Sequence, residues 1–197
     1  CQLLAYDEMT VYKRGAWYML DEAGTLEQFP GVRRDIVRLS LASWFAELTE
    51  AVCPEEAPAQ ELAALLLNGL YALCYLDKDP ALVKAAFQWR LMALAGFQPF
   101  VDGCAVCGVE EPAATMLDVV HGVVRCGGCK SGGGLSLPLT SGGLAALRHI
   151  LTADGKRLYS FTLEPTALQA LDHAGEAFIA AQLERSFRTL DYYKSLL

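Results

Sequence analysis

The sequence predicts an α+β fold that is mostly helical, and three observations lead to this prediction. Residues 2–29 alternate in a strand-like way, and three segments between residues 31 and 97 carry apolar residues at helical spacing. The stretch that follows is rich in Gly, Pro and Cys and has little periodicity. We therefore expect a strand-rich unit over residues 1–29 and a helical domain over residues 30–197, with a cysteine-bearing insertion at about residues 100–138.

The N-terminal unit is predicted to contain two strands. The stretch LLAYDEMTVYKR is rich in β-branched and aromatic residues, Arg14-Gly15 predicts a turn, and AWYML begins the second strand. We expect a further turn at residues 21–24. Two strands are not a stable sheet on their own, so we also expect partner strands before Cys1.

Helices are predicted over most of the remaining chain. The first begins near Gly31, and its apolar face consists of Val37, Leu41, Trp44, Leu48 and Val52. ELAALLLNGLYALCYL predicts the second helix. ALVKAAFQWRLMALAGF predicts the third, with Pro80 in its first turn and Gly96 at its end. Further helices are expected from Thr140 and over residues 164–183.

Composition limits the classes of function. No run approaches the roughly 20 uncharged apolar residues of a membrane-spanning helix, so we expect no membrane association. The net charge of −7 argues weakly against nucleic-acid binding, because a phosphate-binding surface needs local positive charge. Four of the seven cysteines form two close pairs in an acidic, Ala- and Leu-rich chain, which favours a reducing, cytoplasmic compartment.

The two cysteine pairs, in CAVCG and RCGGCK, are the most specific motif. They are 18 residues apart and comprise Cys104, Cys107, Cys126 and Cys129. Zn²⁺ prefers four tetrahedral sulfur ligands, and this spacing is typical of such sites. We predict one structural Zn²⁺ per chain, because four Cys ligands leave no open position for a catalytic water. The alternatives are two disulfides, thiols without a metal, or His121 in place of one cysteine.

No catalytic constellation is found, and we expect no enzymatic activity. His149 and His173 lie within helical patterns, without a nucleophile that the sequence pairs with them. The second CxxC leads into Ser131 and three glycines, a poor helix start, which argues against a thioredoxin-like redox role. Cys53 and Cys74 lie on apolar helical faces, so we expect both in the core.

Basic residues form two candidate binding surfaces. The first, near the predicted junction of sheet and helix, comprises Lys13, Arg14, Arg33, Arg34 and Arg38. It is either a phosphate-binding surface for DNA or a solvated face paired with acidic neighbours. The second comprises Lys84 and Arg90, which we expect to project from the third helix beside Trp89. It is either a receptor for an acidic-aromatic peptide or a solvated face.

The order of these features resembles RecO, the bacterial recombination mediator family. The similar stretches are FPGVRRDIVRLSLASWFAEL, FQWRLMALAGFQPFVDGCAVCG, VVHGVVRCGGCKSGG and RSFRTLDYYKSL, and the resemblance covers essentially all 197 residues. It implies an N-terminal OB-fold β-barrel, of which residues 1–29 would be the last strands. A helical domain with an inserted four-cysteine zinc knuckle would follow, and the four cysteines named above occupy the family's metal positions.

The resemblance also implies a function in DNA repair and recombination. RecO-like proteins bind single- and double-stranded DNA, anneal complementary strands and help RecR to load RecA on strands coated by SSB, in the bacterial cytoplasm at the nucleoid. The SSB C-terminal tail would bind the helical domain, where Lys84 and Arg90 fall on the corresponding helix. We attribute the acidic net charge to basic barrel strands preceding Cys1. The alternative is a zinc-stapled protein-interaction or transcription-related module without annealing activity.

Overall fold

The computed structural model describes residues 2–54, 58–130 and 132–197. Cys1 and Ser131, on which two of the expectations above depend, lie outside this range. The described residues form five strands and seven helices, so the α+β class is confirmed. A two-stranded sheet comes first, a helical body follows, and a three-stranded sheet is inserted between the fourth and fifth helices.

The first two strands form a long antiparallel hairpin. Strand β1 spans Tyr6–Arg14 and strand β2 spans Trp17–Glu27, with Gly15 at a φ of 62° in the turn between them. The turn expected at residues 21–24 is wrong, because β2 continues through it. Instead the pairing shifts between Thr10 and Val11 and skips Asp21, which forms a bulge and not a reversal of the chain.

The hairpin is attached to the helical body at its base. Almost all of its side chains are exposed. The Glu27 carboxylate accepts hydrogen bonds from the backbone N–H groups of Gln28 and Phe29 and from the Tyr75 hydroxyl. These bonds to Glu27 lower its pKa, led by the one from Phe29. The base is therefore fixed in orientation, while the strands extend away from the body.

The helix predicted from Gly31 is two helices. Helix α1 spans Pro30–Arg33 and helix α2 spans Ile36–Val52, because Asp35 adopts an extended conformation between them. Its carboxylate caps α2 by accepting from the N–H groups of Val37 and Arg38. Gly31 allows α1 to approach α3, since a Cβ there would lie 2.8 Å from the Cys74 carbonyl oxygen.

Helices α3 and α4 agree with the predicted segments. Helix α3 spans Gln60–Tyr75 and α4 spans Pro80–Leu94, with Pro80 in the first turn as predicted. Helix α4 lies at the centre of the core and is buried on nearly every side. Its Phe87 ring stacks on Phe45 of α2, with 3.8 Å between ring centroids. Of the predicted apolar face of α2, the three central residues are fully buried and the two end residues only partly.

The remaining helices enclose α4. Helix α5 spans Ser141–Thr152, α6 spans Pro165–Leu183 and α7 spans Arg188–Lys194. The Thr140 hydroxyl accepts from the Gly143 N–H and caps α5, which begins where the sequence predicted. Helix α7 was not predicted, since seven residues are too few to show a helical period. Among the described segments, no helix has both the length and the apolar composition needed to cross a membrane.

The insertion has a small sheet that the sequence did not predict. Strands β3 (Met116–Asp118), β4 (Val123–Arg125) and β5 (Ser136–Pro138) form it in the order β4-β3-β5. Three residues per strand are too few to show alternation. Leu117 and Val124 are fully buried and join the main core, so the sheet is packed against the helical body and positions the cysteine pairs beside it.

Candidate metal centre and cationic residues

Four cysteine sulfurs converge in the insertion. The Sγ atoms of Cys104, Cys107, Cys126 and Cys129 all lie within 4.8 Å of one another. The distance from Cys104 Sγ to Cys129 Sγ is 3.9 Å, and that from Cys107 Sγ to Cys126 Sγ is 3.8 Å. Both exceed the S–S bond length of about 2.0 Å, and all four thiols are free. The four cysteines are thus held as a set that could bind a metal ion.

Glycines shape the loops that bring the sulfurs together. Gly108, at a φ of 76°, follows Cys107 and donates its N–H to the Cys104 carbonyl, which closes the first CxxC turn. Gly127 lies in the second CxxC, where a Cβ would approach the Ala114 carbonyl oxygen to 2.9 Å. A larger residue would strain the backbone at Gly108, because of its positive φ, and would collide with Ala114 at Gly127, so both glycines are part of the site.

Backbone hydrogen bonds stabilise negative charge on one of the sulfurs. The backbone N–H of Cys107, together with that of Cys126, lowers the pKa of Cys104 to about 6. The hydrogen bond with the Cys107 thiol, burial and the Cys104 thiol raise the pKa of Cys129 to about 12. Four thiolates therefore repel one another in the absence of a cation, and a bound metal ion reverses this balance.

Arg148 of α5 anchors the insertion to the helical body. Its Nε donates to the Val101 carbonyl at 2.9 Å, and its Nη2 donates to the Glu110 carbonyl at 2.7 Å. Its Nη1 also pairs with the Glu111 carboxylate at 2.6 Å. Sequence reasoning missed this residue. The available signal was a single arginine within the predicted helix SGGLAALRHIL.

His121 is a loop residue outside the sulfur cluster. Its Nδ1 lies 2.9 Å from the Asp118 carboxylate, which also accepts from the backbone N–H groups of Val120 and His121. Burial by itself would raise the pKa of Asp118, but these hydrogen bonds and the neighbouring imidazole lower it. The pair closes the turn between β3 and β4 and holds the strand that leads to Cys126.

The predicted third helix is α4 in the structure, and Lys84 does not project from it into solvent. The expectation that Lys84 is solvent-exposed is wrong. Its side chain is 2% exposed. Its Nζ lies 2.6 and 2.7 Å from the two carboxylate oxygens of Asp172 and 2.5 Å from the Glu176 carboxylate. The two acids lie four residues apart on one face of α6, so the helix presents both to Lys84. Lys194 of α7 also pairs with Glu176.

The two acids respond differently to this shared cation. Burial is the largest influence on Asp172 and raises its pKa above the ordinary value, despite the opposing effect of Lys84. Burial acts in the same direction on Glu176, but Lys84 and Lys194 together lower its pKa. The difference arises because Glu176 pairs directly with both Lys84 and Lys194, whereas Lys194 is the smallest influence on the pKa of Asp172 and the charge of Glu176 raises that pKa further.

Arg90 and Arg38 also have partners within the fold. Arg90 donates to the Leu151 carbonyl at 2.5 Å and so caps the last turn of α5. Arg38 donates to the Leu73 carbonyl at 2.7 Å and lies 3.6 Å from the Asp35 carboxylate. Both remain partly exposed.

Cys53 and Cys74 were both predicted to lie in the core. Cys74 packs against the core, whereas Cys53 is exposed beyond the end of α2, so the predicted burial of Cys53 is wrong.

The five basic residues of the first candidate surface are not one cluster. Lys13 and Arg14 are exposed at the tip of the hairpin, roughly 30 Å from its base by the rise of about 3.3 Å per strand residue. Arg33 and Arg34 lie at the end of α1, next to that base. The Arg33 guanidinium donates to the Leu3 carbonyl at 3.4 Å, while Arg34 is exposed. The structure therefore separates a tip pair from a base group.

Comparison with known proteins connects this architecture to one family. Residues 33–191 match the family model described as Recombination protein O C terminal. DNA repair protein RecO of Acetivibrio thermocellus is 28% identical over 195 residues, covering 99% of this chain and 78% of that protein. DNA repair protein RecO of Symbiobacterium thermophilum is 27% identical over 198 residues, with the same coverage of 99% and 78%.

A third relative is more similar over a shorter region. DNA repair protein RecO of Anaeromyxobacter dehalogenans strain 2CP-C is 34% identical over 164 residues, covering 82% of this chain and 62% of that protein. The family match includes the helical body and the four-cysteine insertion. On this evidence, the chain belongs to the RecO family.

Proposed function

We propose that this chain is a non-enzymatic DNA repair and recombination mediator of RecO type. It binds single- and double-stranded DNA, anneals complementary strands and helps RecR to load RecA on strands coated by SSB. The observation that carries the proposal is the alignment of proteins named DNA repair protein RecO over 99% of the chain. This role places it in the bacterial cytoplasm, associated with the nucleoid, with residues 1–29 contributing to an OB-fold.

We propose Zn²⁺ as the metal. With Zn–S bonds of about 2.3 Å, the edges of a regular tetrahedron of sulfurs are about 3.8 Å long. Two of the six sulfur separations, 3.8 and 3.9 Å, fit this value, and all six are within 4.8 Å. Four thiolates fill the shell, so the ion would stabilise a glycine-rich insertion that has little core of its own and would not act on a substrate.

The five basic residues proposed from the sequence as DNA contacts differ in their exposure and in their existing hydrogen bonds. Lys13, Arg14 and Arg34 are exposed, so their cationic groups are free to meet phosphates. Arg33 and Arg38 are partly exposed and already donate to backbone carbonyls. We therefore expect the strongest phosphate contacts from Lys13, Arg14 and Arg34 and weaker contacts from Arg33 and Arg38.

The SSB tail is proposed to bind at Arg90. Lys84 is enclosed by carboxylates in this structure and is not accessible to a tail. Arg90 lines a cleft of about 190 Å³ between α3 and the segment before α6, whose walls include Leu65, Leu94 and Leu158 but also the polar side chains of Glu61 and Asn68. Apolar walls beside a guanidinium suit an aromatic side chain with a neighbouring carboxylate, which is the chemistry of the SSB tail end.

The test compares two double variants with the same change in charge. K13E/R14E alters the hairpin tip, and K156E/R157E alters an equivalent exposed Lys-Arg pair after α5. Anisotropy of labelled oligonucleotides, measured over a range of salt, gives affinity and its salt dependence. K13E/R14E should weaken DNA binding about tenfold or more and reduce the salt slope by about two, because each lost phosphate contact lowers it by about one. Annealing of SSB-coated strands should fall in parallel.

Each alternative result has a definite meaning. Equal losses in the two double variants would mean that net charge alone matters, which contradicts a local DNA contact. No DNA binding by a folded, zinc-loaded chain would contradict the mediator proposal. It would favour the zinc-stapled protein-interaction or transcription-related module.

A further inference from the structure

One buried charge in the described part of the chain has no opposite charge paired with it. Three charged side chains are buried there, those of Lys84, Asp118 and Arg125. Lys84 has two carboxylates of α6 beside it, and Asp118 has the His121 imidazole. Arg125 is 9% exposed, yet none of the described carboxylates forms an ion pair with its guanidinium. A guanidinium keeps its charge in proteins, and an uncompensated buried charge is costly, so this position requires negative charge from another source.

The Arg125 guanidinium lies against the second cysteine pair. Arg125 is the last residue of β4 and directly precedes Cys126. Its Nη1 donates to the Cys129 carbonyl at 3.0 Å and to the Cys126 carbonyl at 3.4 Å. Its Nε is buried without a hydrogen-bond partner in the described part of the chain. Hydrogen bonds to two neutral carbonyls hold the guanidinium in place, but they do not balance its charge.

The sulfur cluster can supply the missing negative charge. Four thiolates carry more negative charge than a divalent ion neutralises, so the metal-loaded centre is an anion. Cys126 connects this centre to the guanidinium, because its backbone N–H donates to Cys104 Sγ at 3.3 Å while its carbonyl accepts from Arg125. The buried cation and the four-cysteine centre therefore belong to one local unit of the insertion.

We propose that Arg125 is the counter-charge of the metal centre and a positioning residue for its second CxxC turn. The inference rests on the proposed Zn²⁺ and deepens it by naming a residue that sets the affinity for the ion. Among the described residues the guanidinium makes no hydrogen bond to a sulfur, so it acts through its charge and through the two carbonyls. Residues that contact metal ligands without binding the metal commonly change the affinity by about 10–100-fold when they are replaced.

Lys130 provides a matched control at the other end of the motif. It follows Cys129 as Arg125 precedes Cys126, and it carries the same charge, but it is exposed. The affinity for Zn²⁺ is measured by competition with a chelator of known affinity, in a reductant that does not bind the metal and at one pH. R125M should weaken Zn²⁺ binding by about 10–100-fold. K130M should weaken it by less than about fivefold, because solvent screens an exposed charge.

Two conservative variants separate the charge of Arg125 from its hydrogen bonds. R125K keeps the charge without the planar fork of donors, whereas R125Q keeps a neutral donor. R125K should therefore bind Zn²⁺ more tightly than R125Q. In urea unfolding of the metal-free chains the two variants should be equally stable, because the anionic centre forms only when the metal binds. Circular dichroism of each variant establishes that the helical body is folded.

The outcomes separate this inference from the proposed metal. Equal Zn²⁺ affinities of R125K and R125Q would overturn the role of the charge, as would an R125M affinity within about fivefold of that of the unaltered chain. Equal losses in R125M and K130M would mean that any nearby cation suffices, which contradicts a specific role of the buried one. Failure of the unaltered, reduced and folded chain to bind Zn²⁺ would contradict the proposed metal itself.

Discussion

Replacing Lys84 with methionine removes the cation from the buried cluster while keeping most of its volume. The Lys84 ammonium makes close contacts with both oxygens of Asp172 and one oxygen of Glu176. Its charge also lies 5.5 Å from the Trp44 ring centroid. The variant K84M leaves two partly buried carboxylates, 22% and 11% exposed, close to each other, with Lys194 as their remaining counter-charge.

K84M should lower the free energy of unfolding by a large amount. Breaking a buried ion pair by removing one partner costs about 3–5 kcal/mol, since a charge remains buried without compensation. For a domain of this size each kcal/mol corresponds to about 2–4 °C in Tm, so K84M should lower Tm by roughly 6–20 °C. The matched control is K194M. Lys194 pairs with the same Glu176, but its side chain is 49% exposed, so its loss should cost at most about 1 kcal/mol.

The pH dependence identifies the cause. Burial already raises the pKa of Asp172, and loss of Lys84 raises it further. A carboxyl with a folded pKa above its unfolded value is more easily protonated in the folded state, so the penalty is small at acid pH. The penalty grows as pH rises above the unfolded pKa and is complete above the folded pKa. The loss of free energy of unfolding caused by K84M should therefore be smaller at about pH 4.5 than at about pH 7.5.

Urea unfolding followed by circular dichroism at both pH values measures the free energy of unfolding. K84M, K194M and the unaltered chain are compared under identical conditions. A deficit within about 1 kcal/mol of the K194M value, or one independent of pH, would refute a paired-charge cluster in this site. Lys84 would then have a packing role only.

Three further changes test other parts of the fold. C126S should reduce bound zinc from one per chain to none and expose the insertion to limited proteolysis, whereas C53S should keep both unchanged, as measured by metal analysis and digestion. R148M should destabilise the chain by roughly 2 kcal/mol in urea unfolding, because two carbonyls lose a charged donor; a neutral effect would show that Arg148 is not an anchor. G31A should cost about 1–3 kcal/mol, since its Cβ would lie 2.8 Å from a backbone oxygen, whereas G24A, with no atom within 4 Å, should be close to neutral in the same assay.

Long periodic elements were the predictable part of the fold. Helices α3 and α4 agree with their predicted segments because their apolar residues recur over four turns and Pro80 marks a beginning. The break between α1 and α2 at Asp35 was not predicted. Apolar residues continue on both sides of it, so the sequence does not distinguish an aspartate that caps a new helix from one inside a longer helix. The same limit applies to the bulge at Asp21, where polar residues suggested a turn.

The cysteine set was predictable because its information is local. Each CxxC fixes two sulfurs within one turn, and only one long-range approach has to be inferred. Its convergence is confirmed, while the identity of the metal stays a prediction. The roles of Arg148 and Lys84 could not be predicted from local sequence. Their partners lie 37 to 92 residues away in sequence, and no local spacing encodes such contacts.

The net charge of −7 is a sum over the whole chain, in which the cluster of Lys84, Asp172 and Glu176 counts for only −1. It counts Lys13 and Arg14, exposed at the tip of the hairpin, with the same weight. A polyanion responds to the local potential and not to the sum over the chain, and this potential falls off within about 10 Å at moderate salt. A chain acidic in total can therefore present a basic tip, and DNA binding has to be judged from the exposed charges of both signs around each site.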